Sequence, residues 1–174
     1  MRMIALFSSS TASACVAQSP GDPGAALLFA NGHDGLSSRE QVTIFQSLGL
    51  VVDSTGKGFL DTMCGQPAGA TVAFSDWNHD GKTEVLILFG NSCTSGMAGS
   101  SAVLLIRSPK GGYSTNLGFP AGAVDTLPTR NLGYPDLLIG GPGFCFPVWR
   151  WNGREYDYLR QEPQSPDGCD HMNE

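Results

Sequence analysis

The sequence predicts a mainly β domain, an antiparallel propeller-like or sandwich/barrel-like fold with one short N-terminal helix. The chain has 174 residues, which suits one domain with a buried core and is short for two. Its 23 glycines and 11 prolines indicate many turns. Short β-prone runs recur at a spacing of about ten residues, as in all-β folds. Asn152-Gly153 separates the last two runs and is a strong hairpin signal.

The single predicted helix runs from Leu36 to Leu48. Ser37 or Ser38 is its N-cap, and Glu40 stands three residues after Ser37, as in a capping box. Gly49 ends the helix, since glycine readily adopts the left-handed conformation found after a last helical turn. The apolar face that predicts a packing role consists of Val42, Ile44, Phe45 and Leu48.

Six strands are predicted after Leu50, where short apolar runs are separated by glycine and proline. They span Thr71–Phe74, Val85–Phe89, Ala102–Ile106, Leu137–Ile139, Phe146–Trp151 and Tyr156–Leu159.

Residues 1–15 have the features of an export signal. Arg2 precedes a short apolar run, and Ala12-Ser13-Ala14 matches an A-x-A cleavage site. With Cys15 next, the segment resembles a bacterial lipobox, although alanine replaces the usual leucine and the apolar run is short. Cys15 is therefore predicted either to carry a lipid anchor or to be lost with the signal.

A linker and one domain are predicted to follow the signal. Residues 16–32 are rich in proline, glycine and alanine, which is typical of a spacer between an anchor and a domain. The β-rich domain is predicted over residues 33–174. Export would place it in the periplasm or cell envelope.

Four cysteines remain after Cys15, and an even number in an exported chain indicates disulfides. Cys64, Cys93, Cys145 and Cys169 allow three connectivities. We favour Cys64–Cys93 and Cys145–Cys169, because each pair brackets one half of the predicted domain. A zinc site is not indicated, since the chain has no C-x-x-C and its histidines are scattered.

The net charge of −6 argues against nucleic acid as a partner. Binding to phosphates requires clustered cations, and the chain has only 10 lysines and arginines.

The stretch Asp76–Glu84 reads D-x-N-x-D-G-x-x-E and runs directly into a predicted strand. Oxygen-bearing side chains fall at loop positions 1, 3, 5 and 9, and the glycine at position 6 permits a sharp turn. Such oxygens suit a hard cation such as Ca²⁺. An EF-hand is excluded, because a hydrophobic strand occupies the place of its bidentate glutamate. The alternative is a polar hairpin turn without metal. The predicted Ca²⁺ ligands are Asp76, Asn78, Asp80, Lys82 through its carbonyl, and Glu84.

The end of this loop recurs later in the chain. Residues 81–87 and 133–139 both read G-x-x-acid-aliphatic-Leu-Ile, at an offset of 52 residues. A period of this size is typical of blade-like units. The second copy lacks the metal set, because Pro128, Arg130 and Leu132 stand where the first copy has oxygen-bearing side chains.

The two motifs D-W-N-H-D-G-K-T-E-V-L-I-L and G-Y-P-D-L-L-I-G-G resemble FG-GAP/VCBS-type repeats, in which a calcium loop joins two strands of a propeller blade. The segment from Leu36 to Tyr156 further resembles a family of small exported bacterial proteins, on the motifs N-S-C-T-S-G and G-G-P-G-F-C-F-P-V-W-R-W-N-G. Some relatives are periplasmic immunity proteins that neutralise peptidoglycan-cleaving effectors of type IV secretion systems. The resemblance implies a binding role.

No hydrolase motif is present, since G-x-S-x-G, H-E-x-x-H and the P-loop are all missing, so an enzyme is not predicted. The leading hypothesis is a periplasmic inhibitor or immunity protein that binds a lysozyme-like effector. The alternative is a calcium-stabilised surface or adhesion-type module. A carbohydrate-binding or small hydrolytic protein is a third possibility.

Two regions are candidate contacts for a protein partner. Ser95-Gly96 lies in a small polar loop and would act as an inhibitory loop of the kind that lysozyme inhibitors insert into a catalytic cleft, as the resemblance implies. Trp149 and Trp151 belong to an aromatic block and would serve as interface anchors if exposed. The alternatives are an ordinary hairpin loop and core packing.

Overall fold

The structure is a computed structural model that describes residues 21–108 and 111–170. The predicted signal and Cys15 lie outside these residues. Within them the chain forms two antiparallel sheets and a few short helices, so the predicted mainly β class is confirmed. Each sheet is built from strands that follow one another in sequence, with orders β1-β2-β3-β4-β5-β6 and β10-β9-β8-β7.

The helices are α1 (Pro23–Leu28), α2 (Ser38–Ser47) and α3 (Ser92–Ser95), the last followed by a 3-10 turn, Gly96–Ala98. The strands of the first sheet are β1 (Leu50–Val52), β2 (Phe59–Asp61), β3 (Pro67–Ser75), β4 (Glu84–Gly90), β5 (Ser101–Arg107) and β6 (Tyr113–Pro120). Those of the second sheet are β7 (Ala123–Asn131), β8 (Tyr134–Gly140), β9 (Cys145–Trp151) and β10 (Tyr156–Pro163).

All six predicted strands are present, as β3, β4, β5, β8, β9 and β10. Each extends beyond its predicted bounds at one end or at both. The hairpin at Asn152-Gly153 is also confirmed, since it joins the paired strands β9 and β10. Four strands were not predicted. β1 and β2 have only three residues each, and β6 and β7 are largely exposed and polar, so they lack an apolar pattern.

The first sheet lies between two hydrophobic clusters. One cluster joins the helices to Val85, Ile87 and Leu105, and the other joins Leu104 to the second sheet. Because β4 and β5 are covered on both faces, their sequences are nearly continuous apolar runs rather than alternating ones. The domain is therefore layered as helices, six-stranded sheet and four-stranded sheet.

Helix α2 confirms the predicted N-terminal helix and its capping box. The Glu40 backbone N–H donates to Ser37 Oγ at 3.3 Å, and the Ser37 N–H donates to Glu40 Oε2 at 2.8 Å. Gly49 follows with φ 65°, which glycine adopts without strain. Ile44 and Phe45 are buried in the first cluster, as the apolar face predicts.

The predicted linker over residues 16–32 is wrong in its second half, and so is the expectation of a single helix. Asp22 caps helix α1 by accepting from the Gly24 N–H at 2.8 Å. Pro23 occupies the first helical position, where its missing N–H costs no hydrogen bond. Leu28 and Phe29 are buried in the core. The proline and glycine that suggested a spacer thus begin a helix, and the domain begins before residue 33.

Both favoured disulfides are present, Cys64–Cys93 and Cys145–Cys169. The first joins the β2–β3 turn to helix α3, and the second joins β9 to the segment after β10. Two such bridges indicate a protein of an oxidising, non-cytoplasmic compartment. None of the helices in the described part of the chain is long and apolar enough to span a membrane.

Candidate metal loop and partner-binding residues

The predicted metal loop connects β3 to β4 and is folded around its own carboxylates. Asp76 accepts backbone N–H groups at both oxygens, from Asp80 at 3.0 Å and from Gly81 at 2.9 Å. Asn78 Oδ1 accepts from the Asp80 N–H at 3.1 Å, and Asp80 Oδ1 accepts from the Lys82 N–H at 2.9 Å. The side-chain oxygens at positions 1, 3 and 5 are therefore each held by backbone amides of the loop itself.

Glu84 is the last residue of the loop motif and the first residue of β4, and it is only 2% exposed. Its Oε2 accepts from the Trp77 N–H at 2.7 Å, and its Oε1 accepts from the Tyr134 hydroxyl at 3.2 Å. Burial raises the pKa of Glu84, and the nearby Asp80 and Asp76 charges raise it further. Among the described residues no lysine or arginine forms an ion pair with Glu84. Its negative charge is therefore compensated only by neutral donors.

The chemistry of the loop fits a hard cation, because its donors are carboxylate, amide and carbonyl oxygens. Glu84 is buried, and a nearby positive charge would lower the energetic cost of burying its carboxylate. The described residues nevertheless include no group of three or more acidic, histidine or cysteine side chains arranged around one ion. Ion binding would thus require the side chains of Asp76 and Asp80 to exchange some amide contacts for metal contacts.

The second copy of the motif holds its acid differently. Asp136 is fully buried in β8, and Arg150 of β9 binds it with two hydrogen bonds, Nε to Oδ1 at 2.9 Å and Nη2 to Oδ2 at 2.7 Å. Thr129 Oγ1 donates to Oδ2 at 2.5 Å. The hydrogen bonds from Arg150 lower the pKa of Asp136 below its ordinary value, despite the opposing effect of burial. In this copy, the positive charge beside the buried acid belongs to the side chain of Arg150.

The two motif copies also contact each other. Arg130 Nη1 donates to the Trp77 carbonyl at 2.7 Å and to the Gly133 carbonyl at 2.8 Å. The arginine that replaces a liganding side chain in the second copy thus ties the two turns together. Tyr134 adds a second link through its hydroxyl on Glu84. Both turns are consequently parts of one contact between the two sheets.

Ser95, predicted as a partner contact, is buried at 5% exposure and does not face solvent. Its Oγ lies 2.8 Å from Ser101 Oγ. The predicted small polar loop is instead helix α3 and the following 3-10 turn, with Asn91 accepting from the Cys93 N–H as the N-cap. Gly96 is exposed with φ 58°, and the side chain that projects here is Met97, at 89% exposure.

Trp149 and Trp151 are half-buried and pack mainly within the protein. Trp149 stacks on Phe119 with ring centroids 5.2 Å apart, and Trp151 lies 4.5 Å from Tyr134. Trp149 Nε1 is buried without a hydrogen-bond partner in the part of the chain that is described. Both side chains pack against the second hydrophobic cluster, and Trp149 contacts the first sheet directly, so core packing accounts for their alternation in β9.

One ordered network was missed by sequence reasoning. Asp61, at the end of β2, is 2% exposed and accepts from the Cys64 and Gln66 N–H groups. The Asn91 side chain donates to Asp61 Oδ2 at 2.8 Å while its oxygen caps α3. This network and the Cys64–Cys93 bridge hold the β2–β3 turn against α3. The only sign of this network in the sequence was Asn91, a residue type that commonly caps helices.

No protein-family model matches the chain, and no curated protein or solved structure matches it.

Proposed function

We propose that this chain is an exported, non-catalytic binding protein of the periplasm or cell envelope that inhibits a peptidoglycan-cleaving, lysozyme-like hydrolase. The observation that carries a binding role is the pair of rigidly held segments at the end of the first sheet. Each exposes a large apolar side chain, Met63 at 78% and Met97 at 89%. The choice of a cell-wall hydrolase as target is supported by the resemblance of the sequence motifs to immunity proteins.

The rigidity of these segments supports the proposal. Met63 is adjacent to Cys64, and Met97 lies one turn beyond Cys93, so the bridge between the two cysteines constrains both. Asp61 and Asn91 add hydrogen bonds within the same region. Exposed methionines on a preorganised frame are suited to a protein partner, because methionine adapts its shape and little ordering is needed on binding.

The calcium loop has a structural role in this proposal. Ca²⁺ bound by Asp76, Asn78, Asp80, the Lys82 carbonyl and Glu84 would neutralise the buried carboxylate. It would also order the β3–β4 hairpin against the second sheet. We further propose that the two sheets correspond to two blade-like units of FG-GAP/VCBS type, with the second unit using Arg150 in place of the ion.

The test is an inhibition assay with purified protein and a panel of lysozyme-like hydrolases, including any encoded beside its gene. Clearing of a peptidoglycan suspension is followed by turbidity. The wild-type protein is expected to slow at least one hydrolase, and Met97→Asp to abolish that effect because it places a charge in the apolar contact. Leu132→Asp is the matched control, since Leu132 is 68% exposed on the β7–β8 turn.

Two results would contradict the proposal. The first is that no hydrolase is slowed and that periplasmic expression protects cells from none of them. The second is that Met97→Asp and Leu132→Asp inhibit as well as the wild type, which would place the contact elsewhere. Circular dichroism of each variant checks that the fold is retained.

A second candidate function is a calcium-stabilised surface module without inhibitory activity. The burial of Glu84 without an arginine or lysine partner in the described residues favours it. In that case Ca²⁺ would stabilise the fold, and none of the hydrolases would be inhibited.

A further inference from the structure

A pocket of about 430 Å³ opens where the metal loop, the β5–β6 hairpin and the β9–β10 hairpin meet. We call it the inter-sheet pocket. Both sheets contribute to its walls, and its volume lies in the range of small-molecule sites. The side chains that matter for its chemistry are Asn78, Lys82, Arg107, Trp151 and Arg154.

The described residues that line the inter-sheet pocket include more cations than anions, in an acidic protein. Among the described residues, Lys82, Arg107 and Arg154 line it, whereas Asp80 is the one acidic residue that does. Two of the cations are already engaged: Lys82 Nζ lies 3.8 Å from Asp80, and Arg107 Nη1 lies 3.3 Å from Glu40. The local excess of positive charge therefore depends mainly on Arg154.

Arg154 is positioned for a ligand and is not used by the fold. Its side chain is exposed and forms no hydrogen bond or ion pair with another side chain in residues 21–108 and 111–170. Its backbone, in contrast, is fixed. The Arg154 N–H donates to Asn152 Oδ1 at 2.9 Å, and Asn116 Oδ1 accepts from the Tyr156 N–H at 2.9 Å. A rigid hairpin thus presents a free guanidinium at the pocket.

The remaining walls suit a ring with hydroxyl groups. Trp151 is half-buried, lines the pocket and is braced by Tyr134, so a ligand can stack on an indole whose position is fixed. Asn78 offers its amide N–H₂ group, because only its oxygen is used within the loop. An aromatic face, an amide donor and a free guanidinium match a sugar ring, its hydroxyls and a carboxylate.

We propose that the inter-sheet pocket binds an acidic saccharide, with Arg154 holding the carboxylate and Trp151 carrying the sugar ring. The inference is independent of inhibition by the methionine-bearing segments, which lie in other turns of the first sheet. Its two main contacts, Arg154 and Trp151, belong to the β9–β10 hairpin and its strand, whereas Asn78 belongs to the metal loop, so only the amide contact depends on how that loop is arranged.

The experiment is a ¹⁵N NMR titration of the full chain with glucuronate, glucose and benzoate as separate probes. Glucuronate is expected to shift the Trp151 indole and the backbone signals around Arg154, and glucose and benzoate to bind more weakly. Arg154→Gln is expected to weaken glucuronate binding about tenfold, the loss of one charge-assisted hydrogen bond. Arg160→Gln is the control, because Arg160 pairs with Glu162 at 2.8 Å in β10 and does not line the pocket.

Each other outcome overturns a defined part of the proposal. Absence of shifts at Trp151 with every probe shows that the pocket is not a saccharide site. Glucose binding as tightly as glucuronate removes the role of the carboxylate, and benzoate binding as tightly removes the role of the sugar. Equal loss of affinity in Arg154→Gln and Arg160→Gln shows a general charge effect instead of a contact. Repeating the titration with an oligogalacturonide distinguishes between two possible ligands, a free sugar acid and the end of an acidic polysaccharide.

Discussion

Glu84 and Asp136 occupy the same position in two copies of one turn, at the start of β4 and near the start of β8, and both are buried. The glycines that precede them have similar backbone angles, φ 80° at Gly81 and φ 90° at Gly133. The surroundings differ. Asp136 has two hydrogen bonds from Arg150, whereas Glu84 accepts, within the described part of the chain, from a backbone amide and a tyrosine hydroxyl.

The difference shows how a repeated turn can keep its backbone and change its charge compensation. The copy with Arg150 does not have the oxygen-bearing side chains of the first copy, and the copy with Asp76, Asn78 and Asp80 has no arginine at its acid among the described residues. Since a buried carboxylate requires a proton, a cation or strong donors, we propose that the loop supplies Glu84 with a cation, as Arg150 does for Asp136. The following predictions test that distinction.

The largest effect is expected from Asp136→Asn. The change removes the charge of a fully buried acid and weakens its hydrogen bonds from Arg150, so the free energy of unfolding should fall by about 2 kcal/mol. Urea unfolding followed by tryptophan fluorescence measures it. Asp125→Asn, an exposed position in β7, serves as the control and should leave the midpoint unchanged. An Asp136→Asn midpoint equal to that of the control would show that the pair does not stabilise the fold.

The pH dependence of stability should carry the signature of Asp136. Its pKa is lowered in the folded state, so its contribution is present above the unfolded value of about 3.9 and is lost as the pH falls through the lower folded-state pKa. The difference in unfolding free energy between wild type and Asp136→Asn should therefore shrink below that pH. A difference that stays constant down to the lowest pH at which the protein folds would contradict the ion pair.

Gly81→Ala and Gly133→Ala should have similar, smaller effects. Both glycines have φ in the left-handed region, where a Cβ is unfavourable, so each change should cost about 1 kcal/mol. Gly69→Ala in β3 is the control, because its added Cβ meets no atom closer than 4.0 Å. Urea midpoints compare the three variants. If only one of the two turn glycines proves sensitive, the turns are not equivalent copies.

The smallest effect is expected from Glu84→Gln measured in the presence of a chelator. Without a bound ion, the carboxylate has no cationic partner among the described residues, and glutamine can accept from Trp77 while its amide meets Tyr134. The cost should be below about 1 kcal/mol, because replacing an uncompensated buried charge by a neutral group is often close to neutral. Urea unfolding in chelator should show a loss well below that of Asp136→Asn. An equal loss would mean that neutral donors compensate Glu84 as fully as Arg150 compensates Asp136.

Much of this architecture could be predicted from sequence, and the exceptions have physical causes. The runs at β4 and β5 were identified because strands buried on both faces are strongly apolar. Helix α1 was missed since Asp22-Pro23-Gly24 is as typical of a linker as of a capped helix start. The distinction depends on whether Leu28 and Phe29 find a core, which no local pattern reports.

The candidate sites were predictable to different degrees. The oxygen-bearing side chains of the metal loop are close together in sequence, so they could be named from their spacing, and their binding of an ion stays a prediction. Burial of Ser95 depends on how helix α3 packs against the start of β5, and the pairing of Arg150 with Asp136 depends on the side-by-side packing of β9 and β8, so spacing alone does not determine either. The inter-sheet pocket likewise exists only because three separate turns meet.

A calorimetric titration of the purified chain with Ca²⁺ tests most directly whether the Asp76–Glu84 loop provides a cation to Glu84. Wild type should bind one ion, and at a hundredfold excess over Kd the fold should gain about 2.7 kcal/mol of stability. Asp80→Ala should abolish the heat of binding, and Asp125→Ala, which removes an exposed acid outside the loop, should leave it unchanged. The absence of a heat of binding in the wild type, or an unchanged heat of binding in Asp80→Ala, would contradict a cation site in the loop. The loop would then be a hydrogen-bonded turn without metal.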